Sequence, residues 1–219
     1  MTSENGASGT QSGRLLPILW PTLAAFGAIG AGFALLPGQL RVGPGLLLPA
    51  GIALLTVVLA LLILGERHRA ARLLGLVVMA FLTLAVATSA ALLVYRIPAK
   101  ILPPRELLFD ASLIWALNVC VFALWYWEID CGGPRARRTE GYRSVDFVFP
   151  HFSADDPKLG EGWQPEFVDY LFLAFTTSTS FSPTDTMVLS GLAKVLMMAQ
   201  STISLVVVAV LLARAIGTI

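Results

Sequence analysis

A run of hydroxyl side chains near the C-terminal end is the part of this chain best suited to chemistry. Five Ser or Thr residues follow one another, and a sixth comes after a single Phe. Hydroxyls and free backbone carbonyls can replace the water shell of an ion, and a helix that ends there points its dipole at the ion. Packing of a Ser/Thr-rich helix end against its neighbours is the alternative. The run consists of Thr176, Thr177, Ser178, Thr179, Ser180 and Ser182.

Two acidic residues, Asp169 and Asp185, bracket the hydroxyl run. A carboxylate at membrane depth is costly, so its presence there indicates a functional role. Each also has an alternative role at a helix end. Asp169 can complement the dipole in the first turn of a short helix. Asp185 can cap the last helix, a role for which Ser182 and Thr184 compete.

Further polar side chains occur within apolar stretches. Gln200 and Ser204 are four residues apart, so they share one face of a helix. They can either line a pathway or form hydrogen bonds between helices. Asp110 and Asn118 fall on roughly one face of an earlier helix. Either could contact Lys194 or the hydroxyl run, and Asp110 could equally serve at the start of its helix.

Motifs for catalysis by a soluble enzyme and for metal binding are absent from the sequence. The two histidines are far apart, the two cysteines fit neither a zinc site nor a disulfide framework, and no phosphate-binding glycine loop occurs. The net charge of +1 argues against a nucleic-acid partner, which needs a basic face. We therefore expect no enzymatic activity, no cofactor and no metal site.

The elements that must hold these residues are membrane helices. Of the 219 residues, 56% are hydrophobic and 13% are charged, about half the charged share of a soluble domain. Apolar runs of roughly 18 or more residues predict transmembrane helices. We predict full spans at residues 15–36, 46–64, 73–95, 107–127 and 189–216.

An additional apolar run, at residues 167–175, is short. A full crossing needs about 20 residues, and the run is followed directly by the hydroxyls. Polar, irregular backbone at membrane depth is tolerated only where protein buries it or water lines it. The sequence therefore favours five full spans plus a half-helix that enters the bilayer and returns. Six spans are the alternative, because an extension to residue 185 reaches a marginal crossing length.

These assignments divide the chain into four parts. Residues 1–13 are a polar, Gly/Ser-rich tail that we expect to be disordered. Residues 14–128 form a four-helix transmembrane region, and residues 129–165 form a loop outside the membrane. Residues 166–219 combine the half-helix with the final span. The predicted fold class is all-α, a multi-pass transmembrane helical bundle of the cell membrane.

An aromatic cluster ends the fourth predicted span. Trp125, Tyr126 and Trp127 are typical of the aromatic belt that lies at the level of the lipid headgroups. Glu128 and Asp130 follow this cluster, and we expect both to be solvated.

The block from residue 167 onward resembles an uncharacterised family of bacterial integral-membrane proteins of unknown function. Its members carry an aromatic-rich run of the type DYLYFSFT, a Ser/Thr-rich stretch ending in Phe, then Ser/Thr-Asp and a last apolar helix. Residues 169–177, 178–181 and 184–185 match these parts in turn. The upstream segment WYWEIDCGGP looks like the segment that leaves the preceding helix in such proteins. The front of the chain shares only the layout.

The same block is similar, more distantly, to the pore half of two-helix potassium channels. In that pore half, an outer helix, a pore helix, a filter and an inner helix follow one another. Residues 170–177 would match the pore helix and residues 178–185 the filter. The potassium filter needs glycines that let its carbonyls point inward. None occurs here, so the resemblance implies a pore-loop layout without potassium selectivity.

The distribution of arginines bears on orientation. The positive-inside rule favours a cytoplasmic location for residues 65–72 and 129–165, whereas a channel-like layout puts them outside. The charge bias favours six crossings with both termini in the cytoplasm, and the short run at 167–175 favours five. The arginines concerned are Arg67, Arg69, Arg72, Arg135, Arg137, Arg138 and Arg143.

Our leading expectation is a pore-loop-like ion channel or transport protein, with the hydroxyl run along its path and Asp169 or Asp185 tuning it. A pore with one loop per chain needs several copies, so it implies a homo-oligomer. The alternative is a non-conducting membrane scaffold or sensor, in which the hydroxyls are packed and residues 129–165 bind a protein partner. The lipid bilayer is the partner common to both.

Overall fold

The computed structural model describes residues 9–37, 40, 47–65, 67–96, 104–140, 142–143, 145–153, 162–180 and 185–216. These residues are predominantly helical, as predicted, and they include one pair of two-residue strands. In chain order the helices are α1 (Gly9–Leu35), α2 (Leu47–Leu64), α3 (His68–Arg96), α4 (Pro104–Ile129), α5 (Pro134–Glu140), α6 (Pro150–Ser153), α7 (Phe167–Ser180) and α8 (Gly191–Ala215). The strands are β1 (Phe147–Val148) and β2 (Met187–Val188).

Several helices extend beyond the apolar runs that predicted them. α1 begins at Gly9, inside the segment predicted as a disordered tail, and α3 begins at His68, inside the charged connector. α4 begins at Pro104, because proline suits the first turn, where its missing N–H leaves no hydrogen bond unmade. α7 continues through the hydroxyls to Ser180.

Three of the described helices are long and apolar enough to cross a membrane, namely the segments Arg69–Tyr95, Arg105–Gly132 and Gly191–Ala213. Two shorter apolar segments, Trp20–Leu35 and Pro49–Leu62, belong to α1 and α2. These lengths indicate a membrane protein. α7 is about 21 Å long, shorter than the hydrocarbon core of about 30 Å.

α4 is the central helix, and it packs against α1, α3, α7 and α8. One apolar cluster joins α1, α2, α3 and much of α4 to the second half of α8. A second joins the end of α4 to β1, α7 and the first half of α8. Gly32 lets α1 approach α4 closely, because a methyl group there would come within 2.7 Å of Leu117 in α4.

α7 and α8 run parallel to each other. Ala174 and Ser178 of α7 accept hydrogen bonds from Gln200 and Ser204 of α8, so a step of four residues along one helix matches four along the other. α7 is antiparallel to α4, because its start lies beside Trp127 and Phe175 lies beside Trp115. Because α7 and α8 are parallel and follow each other in sequence, the chain between them must return to the level at which α7 begins.

The strand pair joins the segments on either side of α7. β1 and β2 are antiparallel, with Phe147 opposite Val188 and Val148 opposite Met187. The N–H of Leu189 donates to Asp146 O at 2.9 Å. The segment that leads into α8 therefore lies beside the segment that precedes α7. We call this end of the bundle, where α4 ends and both α7 and α8 begin, the loop end.

The chain reverses direction sharply after α4. A single 3₁₀ turn, Asp130–Gly132, follows the helix. Cys131, Gly132 and Gly133 all have positive φ, of 51°, 78° and 100°. Only glycine reaches the last of these regions without strain. The reversal sends α5 back across the end of α4, which brings Arg137 beneath that helix.

Candidate functional site

The first three hydroxyls of the run point into the bundle. Thr176, Thr177 and Ser178 are all buried. Thr177 Oγ1 donates to Leu173 O at 2.7 Å, one turn back on α7. Thr176 Oγ1 lies 3.0 Å from the carbonyl oxygens of both Phe172 and Leu173. Within a single chain, these hydroxyls bond to their own helix or to neighbouring helices.

Gln200 is the centre of a buried hydrogen-bond network that joins three helices. Its Nε2 donates to Ala174 O and to Ser178 Oγ of α7, at 2.8 Å each. Its Oε1 accepts a hydrogen bond from the hydroxyl of Tyr126 in α4. Both polar atoms of the amide are therefore partnered although the side chain is fully buried. We call this set of contacts the Gln200 network.

Two further side chains extend the Gln200 network. Ser204 Oγ donates to Ser178 O at 2.9 Å, and Asn118 Nδ2 donates to Gln200 O at 3.2 Å. Gln200 and Ser204 thus share one helical face, as predicted, and both bond between helices. Asn118 contacts the α8 backbone rather than Lys194, whose side chain is exposed.

The remaining residues of the predicted pathway are dispersed. Thr179 and Ser180, the last two of α7, are exposed, as is Asp185. Ser182 lies outside the described residues. Asp169 is half-buried, and its Oδ2 accepts a hydrogen bond from the N–H of Glu166 at 2.7 Å. This contact satisfies a backbone donor at the start of α7, and Asp169 lies in the first turn of that helix.

Asp110 is set apart from the Gln200 network. Its side chain is 1% exposed, within the second turn of α4. Among the residues that the structure describes, its Oδ2 accepts no hydrogen bond. A buried acid on a membrane helix is unusual enough to indicate function. No contact with Lys194 or with a hydroxyl of the run accompanies it in the described part of the chain.

A second polar cluster, centred on Arg137 of α5, lies at the loop end. Arg137 is 2% exposed, and its Nη1 donates to Trp127 O at 2.9 Å and Asp130 O at 2.6 Å. The Trp127 carbonyl lies in the last turn of α4, where carbonyls lack intrahelical donors. The Asp130 carbonyl belongs to the 3₁₀ turn and also accepts a hydrogen bond from the N–H of Gly133. The guanidinium carbon lies 4.4 Å from the ring centroid of Trp127 and 5.1 Å from that of Tyr170, within the range of cation–π attraction.

The Arg137 cluster also ties α7 to α4. The hydroxyl of Tyr170 donates to Asp130 Oδ2 at 2.6 Å, and the N–H of Cys131 donates to Asp146 Oδ2 at 3.2 Å. Arg137 lies within electrostatic range of both Asp130 and Tyr170. A charged residue is almost never fully buried without a partner, and here the partners come from three separate elements.

Two interpretations of the end of α4 were wrong. Tyr126 and Trp127 do not form a belt at the headgroups, because both are buried within the protein, at 0% and 4% exposure. Asp130 is not solvated but fully buried, and Glu128 is half-buried. The sequence WYWEIDCGGP is equally compatible with these side chains being solvated and with their being buried. Only the returning chain, which covers the end of the helix, decides the burial of these side chains.

The arrangement divides the predicted pathway residues into two groups. Thr176, Thr177, Ser178, Gln200 and Ser204 are used for bonding inside one chain. Thr179, Ser180 and Asp185 are exposed, so they are available to a solute or to another protein surface. Sequence reasoning missed the contacts made by Tyr126 and Arg137. It singled out Asn118 but expected Lys194 or the hydroxyl run as its partner, whereas Asn118 bonds to the Gln200 carbonyl.

The described residues contain no group of three or more His, Cys, Asp or Glu side chains that could hold a metal ion. No protein-family model matches the chain, and neither the curated proteins nor the solved structures contain a significant match. Function must therefore be argued from the geometry of this chain alone.

Proposed function

We propose that this protein is a multi-pass protein of the cell membrane in which α7 enters the bilayer as a half-helix and returns. The observation that carries the proposal is the parallel course of α7 and α8. Ten residues, 181–190, separate them. A six-span bundle would need α7 and α8 to be antiparallel. Five full crossings plus a half-helix accommodate the parallel pair.

The lengths are consistent with this layout. α7 extends about 21 Å from the loop end. Ten residues can span about 33 Å when extended, which is sufficient to return from the end of α7 to the start of α8. α4 runs toward the loop end, and α7 and α8 both run away from it. The outer helix, pore helix and inner helix of a two-helix channel follow the same order of relative directions.

We further propose that the protein acts as a pore-loop-like ion channel or transport protein. The path would pass the free end of α7, where the hydroxyls of Thr179 and Ser180 are exposed. The negative end of the α7 dipole at this position would favour a cation. Thr176, Thr177 and Ser178 would hold the half-helix in place rather than line the path.

A non-conducting scaffold or sensor is the second candidate, and one observation favours it. The buried hydroxyls of α7 and both polar atoms of the Gln200 amide have hydrogen-bond partners within one chain, so their presence requires no solute. In that case the segment around α5 and α6 would provide the surface for a protein partner.

The arginine distribution supports an orientation. α3 begins at the loop end, since it is antiparallel to α4 and Arg72 lies within electrostatic range of Glu128. The arginines of residues 67–72 and 135–143 therefore share one end of the bundle. By the positive-inside rule that end would be cytoplasmic. The half-helix would then enter from the cytoplasm, opposite to the pore helix of a potassium channel.

Ion flux into liposomes separates the two candidates. A channel predicts flux of a monovalent cation, measured with a fluorescent indicator, that falls when Thr179 and Ser180 are both changed to Leu. Thr88→Leu is the matched control, because Thr88 is an exposed hydroxyl on α3 that bonds one turn back to Leu84 O. Absence of flux for cations, anions and small neutral solutes alike would favour the scaffold.

A further inference from the structure

A shallow apolar groove lies between α1, α2 and α3, and its volume is about 170 Å³ including the open mouth. Among its lining residues only Thr56 has a polar side chain, and the Thr56 hydroxyl already donates to Ile52 O at 2.7 Å. An occupant of this groove must therefore be apolar. We call it the α1–α3 groove. Its lining consists of Phe26, Leu55, Thr56, Leu59, Leu74, Gly75 and Val78.

The α1–α3 groove lies at the depth of lipid acyl chains on the loop-end side of the bundle. Gly75 comes eight residues after Arg67, which is about 12 Å along α3 and within one leaflet of a hydrocarbon core about 30 Å thick. α1 runs parallel to α3, because each is antiparallel to α2. Trp20 of α1, six residues before Phe26, is 63% exposed and suits the headgroup level.

Arg67 lies between the α1–α3 groove and the headgroups. Its carbonyl accepts a hydrogen bond from the N–H of Ala71 at 3.0 Å, which places Arg67 at the start of α3. Arg67, Leu74 and Val78 are seven and four residues apart, so they share the groove face of α3. The Arg67 side chain is exposed. Residues 65–72 contain three arginines and one glutamate, a net charge of +2, which favours an anionic headgroup.

We propose that the α1–α3 groove and Arg67 form a binding site for one anionic phospholipid. An acyl chain lies in the groove, and the guanidinium of Arg67 binds the phosphate and the anionic headgroup. The positive-inside orientation agrees with this assignment, because it places the loop end at the cytoplasmic leaflet, where anionic lipids are concentrated. The inference requires neither the half-helix nor conduction.

Native mass spectrometry of the purified protein tests the headgroup contact, with phosphatidylglycerol and phosphatidylcholine of identical acyl chains. We expect one phosphatidylglycerol to bind about fivefold more tightly than phosphatidylcholine, the effect of one arginine near an anionic lipid. Arg67→Gln should abolish this preference. Arg69→Gln is the matched control, because Arg69 is exposed and lies about 200° around the helix from Arg67, and it should keep the preference.

Three results would overturn the headgroup contact. The first is equal affinity of the unmodified protein for the two lipids. The second is an equal loss of preference in Arg67→Gln and Arg69→Gln, which would indicate a general attraction to the charged surface. The third is binding that does not saturate at one tightly held lipid, which would indicate ordinary contact with the surrounding bilayer.

Gly75→Leu tests the α1–α3 groove itself. A methyl group at Gly75 would meet no atom within 4 Å, so the larger side chain has room and should fill the groove without unfolding the bundle. Both lipids should then bind about tenfold more weakly, since roughly two methylene groups lose their buried contact. Gly51→Leu on α2 is the matched control, because Gly51 also faces open space but lies outside the groove. Circular dichroism checks the fold of both variants, and unchanged lipid binding by folded Gly75→Leu would refute the site.

Discussion

Gln200 shows how a polar residue can be essential to a membrane helix without contacting a solute. Its amide is fully buried and has partners on two other helices. An amide in that position is costly unless every polar atom is bonded, and both polar atoms of the Gln200 side chain are bonded. Arg137 is held in a different way: its Nη1 donates to two carbonyls, and its guanidinium lies near Asp130 and over two aromatic rings.

Replacing Gln200 with Leu should destabilise the bundle by about 2 kcal/mol, because it removes side-chain hydrogen bonds worth roughly 0.6 kcal/mol each in membrane proteins. Ser178→Ala, which removes one of them, should cost less. Unfolding by SDS in mixed micelles, followed by circular dichroism, measures both. Thr88→Val is the control and should change stability little. An unaltered unfolding curve for Gln200→Leu would contradict the Gln200 network.

Arg137→Met should destabilise the loop end by roughly 3–5 kcal/mol, the usual effect of removing one partner from a buried charged group. Asp130 would remain buried without its cation, and the carbonyls of Trp127 and Asp130 would each lose one donor. Arg138→Met is the matched control, since Arg138 is the exposed neighbour and its loss should stay within about 0.5 kcal/mol. Thermal unfolding in detergent compares the two, and equal melting temperatures would refute the burial of Arg137.

At the scale of the elements, the decisive feature is the direction of α7. Hydropathy predicted where the short helix begins, and Phe167 is the first residue in both cases. It could not predict direction, because a half-helix and a marginal full span have nearly the same composition. The contacts at Ala174 and Ser178 fix the direction, and the pairing of β1 with β2 brings the chain back to the loop end.

Crosslinking across the strand pair tests this return. Cysteines replacing Val148 and Met187, which lie opposite each other, should be joined within one chain by a short thiol crosslinker. The control pairs the cysteine at Val148 with one replacing Leu212, near the far end of α8, and should give no intramolecular product. A protease site engineered between the two cysteines makes the link visible on a gel. If the control pair reacts and the strand pair does not, the parallel course of α7 and α8 is wrong.

At the scale of the whole molecule, the proposed layout would place the two termini on opposite sides of the membrane. Five crossings would separate them, and the half-helix would add none. The charge bias alone had favoured six crossings, with both termini in the cytoplasm. With α7 and α8 parallel, the arginine-rich loop end can be cytoplasmic in a layout of five crossings. The arginine bias and the short length of α7 are then both consistent with that layout.

Cysteine accessibility in intact cells measures this topology directly. Single cysteines at residues 65–72 and 129–165 should react with a membrane-impermeant maleimide only after permeabilisation, because both segments are expected in the cytoplasm. A cysteine added at the C-terminus should react without permeabilisation. Labelling of residues 129–165 and the C-terminus from the same side would show that α7 crosses fully and would refute the half-helix.

The sequence by itself determined the class of this protein. Long apolar runs with few charges have no stable place outside a membrane, so composition alone indicated a helical membrane protein, and run length gave most of the helices. Only the tertiary structure decided which polar groups are buried together, because Asn118, Tyr126, Ser178 and Gln200 are distant in sequence. It also decided the burial of Asp130 and Arg137 and the return of the chain after α7. These features depend on how separate segments pack against one another. The hydrophobic periodicity of one segment does not indicate which other segments it contacts.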